Sequence, residues 1–487
     1  MASPCALHSI LYSPPTFRYK FLYMRIAFVT LGCKLNYAET STYERRLLSG
    51  AKPGEVEVVP WSRGADAFLV NTCSVTEHSD KKCRNIIRKL HRVSPGAAIF
   101  VTGCYAELKR DEILALDGVR EVFGAKEKTR VVPALLSFIG GDAAHQDRAE
   151  SLKEAAQAPE ATPAQGQAAG LADSKQCPED FLGAYSSGER TRSFLKVQDG
   201  CDFKCNYCTV PYARGESRNE SIAAIAQKAR EIAELGCREI VLTGVNTGDF
   251  GKSTGENFFD LIRALNEVEG IERYRISSIE PNLLTEPMVD WIVGGTKFLP
   301  HFHIPLQSGS DTVLKEMGRR YDTAAFAHKI EYIRRAFAPR KVFFGIDVIV
   351  GFPGETDALF EETYKFLSET VRPAFIHIFP YSRRAGTPAA ARKDQVQDSI
   401  KTQRVERLEA LCRSLHREFV ESCLGDSCKV LFESKDKEGM MAGYTENYIK
   451  VWMPYEKSLI GAASEVTLTE ENTRLHALDA GEGALSS

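Results

Sequence analysis

Three cysteines, Cys201, Cys205 and Cys208, fall within the stretch GCDFKCNYCTVPYARG (Gly200 to Gly215), in the spacing Cys-x3-Cys-x2-Cys. Thiolates this close in sequence converge on one small object. A structural zinc site wants four protein ligands, commonly from paired Cys-x2-Cys knuckles. A disulfide framework wants an even count and an oxidising compartment. A three-cysteine loop fits a [4Fe–4S] cluster better, with thiolates on three irons and the fourth iron open to a non-protein ligand. A structural zinc or cluster knuckle is the competing reading.

A second set sits upstream. Cys33, Cys73 and Cys104 occur in LGC, NTC and TGC, each just after an apolar run: RIAFVTL from Arg25, AFLVN from Ala67 and AIFVT from Ala98. With VREVFG from Val119 and amphipathic segments between them, these runs read as buried strands of a parallel, doubly wound α/β sheet. Ligands of such sheets bind outside the carboxyl ends of the strands, so three strand-end cysteines meet at one place. Gly32 and Gly103, each preceding a cysteine, allow the close approach this needs. Free cysteines are often buried and inert, but three repeats at one topological position favour a second cluster. Cys83 follows no strand and is set aside.

Further on, FLKVQ (Phe194), EIVLTG (Glu239), RYRISS (Arg273), HFHIPL (His301), VFFGIDVIVGF (Val342) and AFIHIFP (Ala374) alternate with helical stretches. Six βα units in this span predict an open or partial (βα)6 barrel with its chemistry at the carboxyl ends of the strands. The Cys201 loop follows the first of them. Gly244, Asn246, Glu280, Gln307 and Asp347 follow or end later strands and outline a pocket rim for a cofactor with amino, carboxylate and ribose groups. Gly248, Ser308, Gly309, Gly351 and Glu355 extend that rim. Any one of them is also an ordinary turn residue. Cys237 precedes a strand at the opposite end and reads as structural.

The 487 residues are too many for one core. The extension 1–23, lacking an apolar stretch with a cleavage site, is no signal peptide; it reads as a disordered arm or a mis-called start before Met24. The N-terminal sheet domain takes 24–140. A low-complexity linker, rich in Ala, Gln and Gly, takes 141–186, because such a composition cannot bury enough surface to offset its ordering entropy. The barrel takes 187–420, ending in a charged helix from Lys393. Over 421–480, the short runs CKVLFE, MMAGYT, YIKVW and EVTLT predict a small antiparallel β-barrel. Its Tyr444, Tyr448 and Trp452 are either base-stacking platforms or core. Cys412, Cys423 and Cys428 have no partners in pattern and read as structural.

No apolar run is long enough to span a bilayer, so a membrane role is excluded. Thirteen cysteines are too sparse for a disulfide scaffold and point to a reducing, cytoplasmic setting. A net charge of −3 gives no global signal for nucleic acid. Locally, the helix SDKKCRNIIRKLHR sets Lys81, Lys82, Arg84, Arg88, Lys89 and Arg92 against Asp80 alone, a face suited to RNA phosphates or simply a solvated one.

The Cys-x3-Cys-x2-Cys loop resembles that of the radical S-adenosylmethionine (SAM) enzymes. Together with the upstream triad, it resembles the methylthiotransferase family among them, from Met24 to about Leu478 apart from the linker. TLGCKLNYAET, VNTCSVTEHSD, LTGVNTGDFG, RISSIEPN, HFHIPLQSGSD and DVIVGFPGET are most similar to the branch acting on N6-threonylcarbamoyladenosine in tRNA. The isopentenyladenosine branch typically carries Gln-Met after its first cysteine, and the ribosomal-protein branch Pro-Lys; here Lys34 and Leu35 stand there.

The resemblance implies C2 methylthiolation of that nucleoside at position 37. It implies two SAM, a 5′-deoxyadenosyl radical and two [4Fe–4S] clusters: one on Cys201, Cys205 and Cys208 that binds SAM, and an auxiliary one on Cys33, Cys73 and Cys104 that carries sulfur. It implies a TRAM-like RNA-binding domain at the C-terminus. An electron donor such as flavodoxin or ferredoxin and a sulfur source are the further partners. Methylthiolation of isopentenyladenosine, or of an aspartate in a small-subunit ribosomal protein, is the enzymatic alternative. A non-catalytic iron–sulfur RNA-binding sensor is the alternative of another class; such a sensor would be expected to ligate its clusters fully, and both triads here stop at three.

Overall fold

The computed structural model describes residues 23–140, 181–187, 191–433 and 439–476. The expected N-terminal arm with Cys5 and most of the expected linker with Cys177 lie outside the described residues, as do Lys435 and Lys437.

Three sheets organise the chain. The first contains β1 (Met24–Thr30), β2 (Val56–Val58), β3 (Ala67–Thr72), β4 (Ala98–Gly103) and β5 (Val119–Phe123), in the order β2-β1-β3-β4-β5 and parallel throughout. This is a doubly wound order whose direction of winding reverses beside β1. All six residues of β3 are buried, as an unbroken apolar run covered on both faces requires. The three-residue edge strand β2, VEV, lacks such a run, and nothing in the sequence announced it.

The second sheet is the expected open barrel. It holds β6 (Arg192–Lys196), β7 (Glu239–Thr243), β8 (Arg273–Ile276), β9 (Phe298–Gln307), β10 (Phe343–Val350) and β11 (Phe375–Pro380), each parallel to the next. Its strands alternate with period two. Phe302, Ile304 and Leu306 of β9 join Phe344, Ile346 and Val348 of β10 in the main core. The intervening positions, His301, His303, Gly345 and Asp347, take the opposite face, as a half-buried pleat dictates. Side-chain caps start the flanking helices: Ser221 accepts from Ala224 N–H, Asp322 from Ala325 N–H and Thr356 from Leu359 N–H.

The first sheet docks on the barrel's open edge. The helix Lys34–Gly50 lies along β6, with Tyr37 edge-on to Phe194 and Arg45 donating to the Tyr185 carbonyl at 2.9 Å. Phe194 and Val241 of the barrel join the core of the first sheet. The helix Cys104–Leu108 meets the helix Val210–Arg214. The helices and loops that carry the two cysteine triads are therefore packed against each other.

The third sheet is antiparallel, in the order β14-β13-β12-β15, from β12 (Ser427–Phe432), β13 (Met440–Tyr444), β14 (Lys450–Pro454) and β15 (Ala463–Thr467). Among the described residues it is an open half-barrel. It caps the amino-terminal end of the larger barrel: Arg275 donates to the carbonyls of Thr445 and Glu446, and Arg273 to that of Tyr444.

Candidate metal and cofactor centre

The loop carrying Cys201, Cys205 and Cys208 leaves β6 through Gly200, whose φ is +74° and where a Cβ would lie 1.9 Å from the Glu216 carbonyl oxygen. Only glycine allows the two ends of the loop to close; Cys201 N–H reaches the Gly215 carbonyl at 3.0 Å. Each sulfur then receives a donor. Phe203 N–H points to Cys201 Sγ and Val210 N–H to Cys208 Sγ, both at 3.4 Å, and Arg319 Nη1 to Cys205 Sγ at 3.2 Å. Arg319 is held by the Tyr321 hydroxyl and by an ion pair with Glu280. Burial, outweighing the Phe203 and Val210 amide hydrogen bonds, pushes the Cys201 thiol up to about 11 and the Cys208 thiol to about 12. Bare thiolates are thus disfavoured here, while the sulfurs are surrounded by donors that suit metal-bound thiolate.

The second triad forms as the strand ends require. Cys33 precedes the helix Lys34–Gly50, Cys73 follows β3 and Cys104 follows β4. Gly32, at φ +128°, lets the first turn close over the second, since a Cβ there would lie 2.7 Å from Cys73 Cβ. Burial, then Cys104 and Cys33, push Cys73 up to about 12. Cys83 is buried and donates its thiol to the Cys73 carbonyl at 3.4 Å, which leaves it outside the triad. Cys237, Cys412 and Cys423 likewise bond to neighbouring backbone or side-chain atoms and join neither triad.

Between the triads runs a buried network that the sequence alone did not reveal. Glu39 Oε1 accepts from Lys128 at 2.8 Å and from Lys196 at 2.9 Å; Asp199 Oδ2 accepts from the same two ammonium groups at 2.9 and 2.6 Å. Arg214 completes it, with Nη1 at 2.9 Å from Asp199 and Nε donating to Cys104 Sγ at 3.2 Å. Arg214 Nη2 also reaches Asn36, whose amide oxygen accepts from Cys33 Sγ. Burial opposes ionisation of Asp199, but Lys128, Lys196 and Arg214 outweigh it and hold its carboxyl well below the usual range. Four cations, with Arg218 at 3.8 Å from Asp199 as the fourth, face two carboxylates here, and one of them, Arg214, lies against Cys104. That surplus, the sulfur donors and the converging thiols all fit a thiolate-ligated iron–sulfur cluster, which is anionic.

Of the cavities that touch the triads, two share a wall at Asp347. One of about 500 Å3 is walled by Cys33, Lys34, Gly244, Ser277, His303 and Asp347, among others. The other, of about 260 Å3, is walled by Cys208, Tyr207, Gln307 and again Asp347. The pocket-rim candidates are thus only partly gathered. Gly244, Gln307 and Asp347 line these cavities. Asn246 is 3% exposed, and its Nδ2 has no partner. Glu280 is engaged with Arg319, as a support for the Cys205 donor. His303 and His377, at alternate positions of β9 and β11, were legible as period-two lumen residues but had no motif to mark them.

On the helix Glu77–Val93, Lys81, Lys82, Arg88, Lys89 and Arg92 are exposed, while Asp80 turns inward to Ser74 and Arg384. Arg84 is committed to Glu112 at 2.9 Å and to the Tyr105 hydroxyl. The base-stacking reading of the C-terminal aromatics fails. Tyr448 stacks on Tyr444 and meets His301 at a tilt, Arg192 and Arg275 lie over its ring, and Lys450 and Arg474 lie on Trp452. These rings already have neighbours against their faces.

The open six-stranded barrel with a three-cysteine loop after its first strand is the scaffold of radical SAM enzymes. Residues 195–367 match the model of the Radical SAM superfamily, and residues 25–124 that of Uncharacterized protein family UPF0004. The threonylcarbamoyladenosine tRNA methylthiotransferase of Bacillus subtilis is 36% identical, covering 91% of this chain and 93% of its own length. That of Thermotoga maritima is 34% identical over 86% and 89%. The tRNA-2-methylthio-N(6)-dimethylallyladenosine synthase of Wolbachia pipientis is 29% identical over 94% and 97%. A radical SAM methyltransferase from Kitasatospora setae shares the fold alone, with a TM-score of 0.50 at 13% identity over 86% of this chain and 77% of its own. The chain belongs to the radical SAM methylthiotransferase family. It is a transferase acting on tRNA, and its cofactors are [4Fe–4S] clusters and SAM.

Proposed function

We propose that the enzyme methylthiolates C2 of N6-threonylcarbamoyladenosine at position 37 of tRNA. In this reading Cys201, Cys205 and Cys208 hold the SAM-binding cluster, and Cys33, Cys73 and Cys104 the auxiliary one. An aromatic C–H bond offers neither a leaving group nor useful acidity, and the bound clusters and SAM supply the radical and sulfur chemistry that side chains lack. The chain's own residues do the placing. Arg319 and the Phe203 and Val210 amides hold the first triad's sulfurs, Arg214 holds Cys104, and Asp347 stands in the walls of both cavities. Bringing both centres and the base to one spot out of bulk water accounts for a large share of such a reaction's barrier.

The observation that carries the substrate reading is the polar wall of the larger cavity, where Lys34, Ser277, His303 and His377 stand beside Cys33. An isopentenyl group would leave Lys34 and the Ser277 hydroxyl unpaired, whereas threonylcarbamoyl is rich in partners for them. The exposed cations of the helix Glu77–Val93 and the C-terminal sheet hold the tRNA. A reduced flavodoxin or ferredoxin and a sulfur source complete the reaction in the cytoplasm.

Nucleoside analysis of tRNA from a deletion strain tests the assignment: the methylthio-threonylcarbamoyl nucleoside should vanish and the unmodified one accumulate. Loss of the methylthio-isopentenyl nucleoside instead would overturn it.

A further inference from the structure

Among the described residues, Lys34 is the one lysine or arginine lining the larger cavity, and the buried arginines elsewhere already have partners. Arg214, Arg319, Arg275 and Arg192 are bound to Asp199, Glu280, Glu239 and Glu433 respectively. Lys34 is half-buried in the cavity wall and has no hydrogen bond or ion pair to any described residue. It is the first residue of the 17-residue helix Lys34–Gly50, whose positive end adds to its field. That field reaches Asp347, His377, His301 and Tyr448 across the lumen. A partly desolvated ammonium without a counter-ion is costly to keep, and an incoming anion relieves the cost.

The carboxylate in the same wall, Asp347, is already taken. Asp347 Oδ1 lies 2.6 Å from His303 Nε2, so the lysine does not need to be its partner. His303 stacks on His377, with ring centroids 4.8 Å apart, over Gly345, which has no side chain to separate them. Burial and then His303 push His377 down to about 4, so at neutral pH it offers hydrogen bonds without charge. Ser277, 8% exposed in the same wall, has a hydroxyl with no partner. The ligand atoms of His303, Asp347 and His377 come within 4.8 Å of one another, a spacing that a divalent cation could use. The positive field of Lys34 at Asp347 and His377 works against that occupant and favours an anion.

We propose that Lys34 determines substrate specificity by pairing with the carboxylate at the end of the N6 substituent, with Ser277 and the stacked histidines hydrogen-bonding its other polar atoms. This rests on the threonylcarbamoyl reading above and assigns the residue that enforces it. Unlike Arg319 and Arg214, Lys34 donates to no cysteine sulfur among the described residues, so its proposed effect is on RNA binding.

The test uses reconstituted holoenzyme and three anticodon stem–loop RNAs, carrying N6-threonylcarbamoyladenosine, its methyl ester, or N6-isopentenyladenosine. Equilibrium binding gives the affinity ratio between acid and ester. One charge-assisted contact predicts a ratio of about tenfold to a hundredfold in the native protein. In Lys34→Gln the ratio should collapse to near one, and Lys34→Arg should retain most of it. Because the ester measures each variant's general RNA binding, a folding defect cancels from the ratio. An unchanged ratio in Lys34→Gln, or no preference in the native protein, overturns the inference. Turnover of the same RNAs separates the two claims. If the acid RNA is methylthiolated but the ratio ignores Lys34, only the inference falls. If the isopentenyl RNA alone is methylthiolated, the substrate reading falls and takes the inference with it.

Discussion

Two arginines reach across the molecule to cysteine sulfurs, and neither can be found by spacing. Arg214 contacts Cys104 from 110 residues away and Arg319 contacts Cys205 from 114. The six cysteines stand out in the sequence because three lie in one short loop and three follow apolar strands. Arg214 stands in the stretch VPYARG, yet nothing local distinguishes it from a surface arginine. Its role defines a test. Arg214→Met strips a charge-assisted partner from Asp199 in a fully buried site while Lys128 and Lys196 still balance the two carboxylates, and losing such a contact costs about 1–3 kcal/mol. Denaturant unfolding of the cluster-free protein should show that loss, which Arg214→Lys should partly restore. Iron analysis addresses the triads separately. The native protein should hold about eight irons, Cys205→Ala about four, and Cys83→Ala the full set. A native value near four would overturn the two-cluster assignment.

At the level of single elements, unbroken apolar runs marked the buried parallel strands. The edge strand β2 escaped because its three residues carry no run. The tyrosines of the C-terminal sheet could be read either way, since an aromatic's partners depend on which surface its sheet covers; here that surface is the base of the barrel. The helix Glu77–Val93 turns Asp80 inward and Lys81, Lys82, Arg88, Lys89 and Arg92 outward, which makes a measurable electrostatic claim. Replacing Lys81, Lys82 and Arg88 together by Gln should lower the salt dependence of tRNA affinity by about one unit of log–log slope for each phosphate no longer neutralised. An unchanged slope would return this helix to an ordinary solvated face. The histidines of β9 and β11 make a second claim. Burial depresses His377 to about 4 and His301 well below its ordinary value. The unfolded chain therefore binds more protons between about pH 4 and 6.5, and stability falls as pH drops through that window by at most about 1.4 kcal/mol per unit for each histidine. Unfolding midpoints at pH 5 and 7 should show this slope, and His377→Gln should flatten it.

On the scale of the whole molecule, the parts of the chemistry come from two sheets that a local reading finds separately. Besides the apolar packing of Phe194 and Val241, what joins them is the charged seam of Glu39 and Lys128 from the first sheet's side with Lys196, Asp199 and Arg214 from the barrel's. Buried ion pairs are a poor source of net stability, because desolvation offsets the attraction; packed apolar residues would hold two domains at least as well. Charges do what apolar packing does not: each must find its own partner, so they admit one relative placement of the two triads. Burial opposes ionisation of Glu39, yet Lys128, Lys196 and Arg214 hold its carboxyl below the ordinary range. The stability it contributes is then fully present above the ordinary carboxylate range, near pH 4 to 5, and is lost only as pH falls further. At neutral pH, Glu39→Gln and Lys196→Met should each destabilise by about 3–5 kcal/mol, while the double variant should cost clearly less than their sum because it removes both ends of one pair. Additive losses in that double-mutant cycle would show that the seam is a set of independent contacts and does not set the register between the two centres.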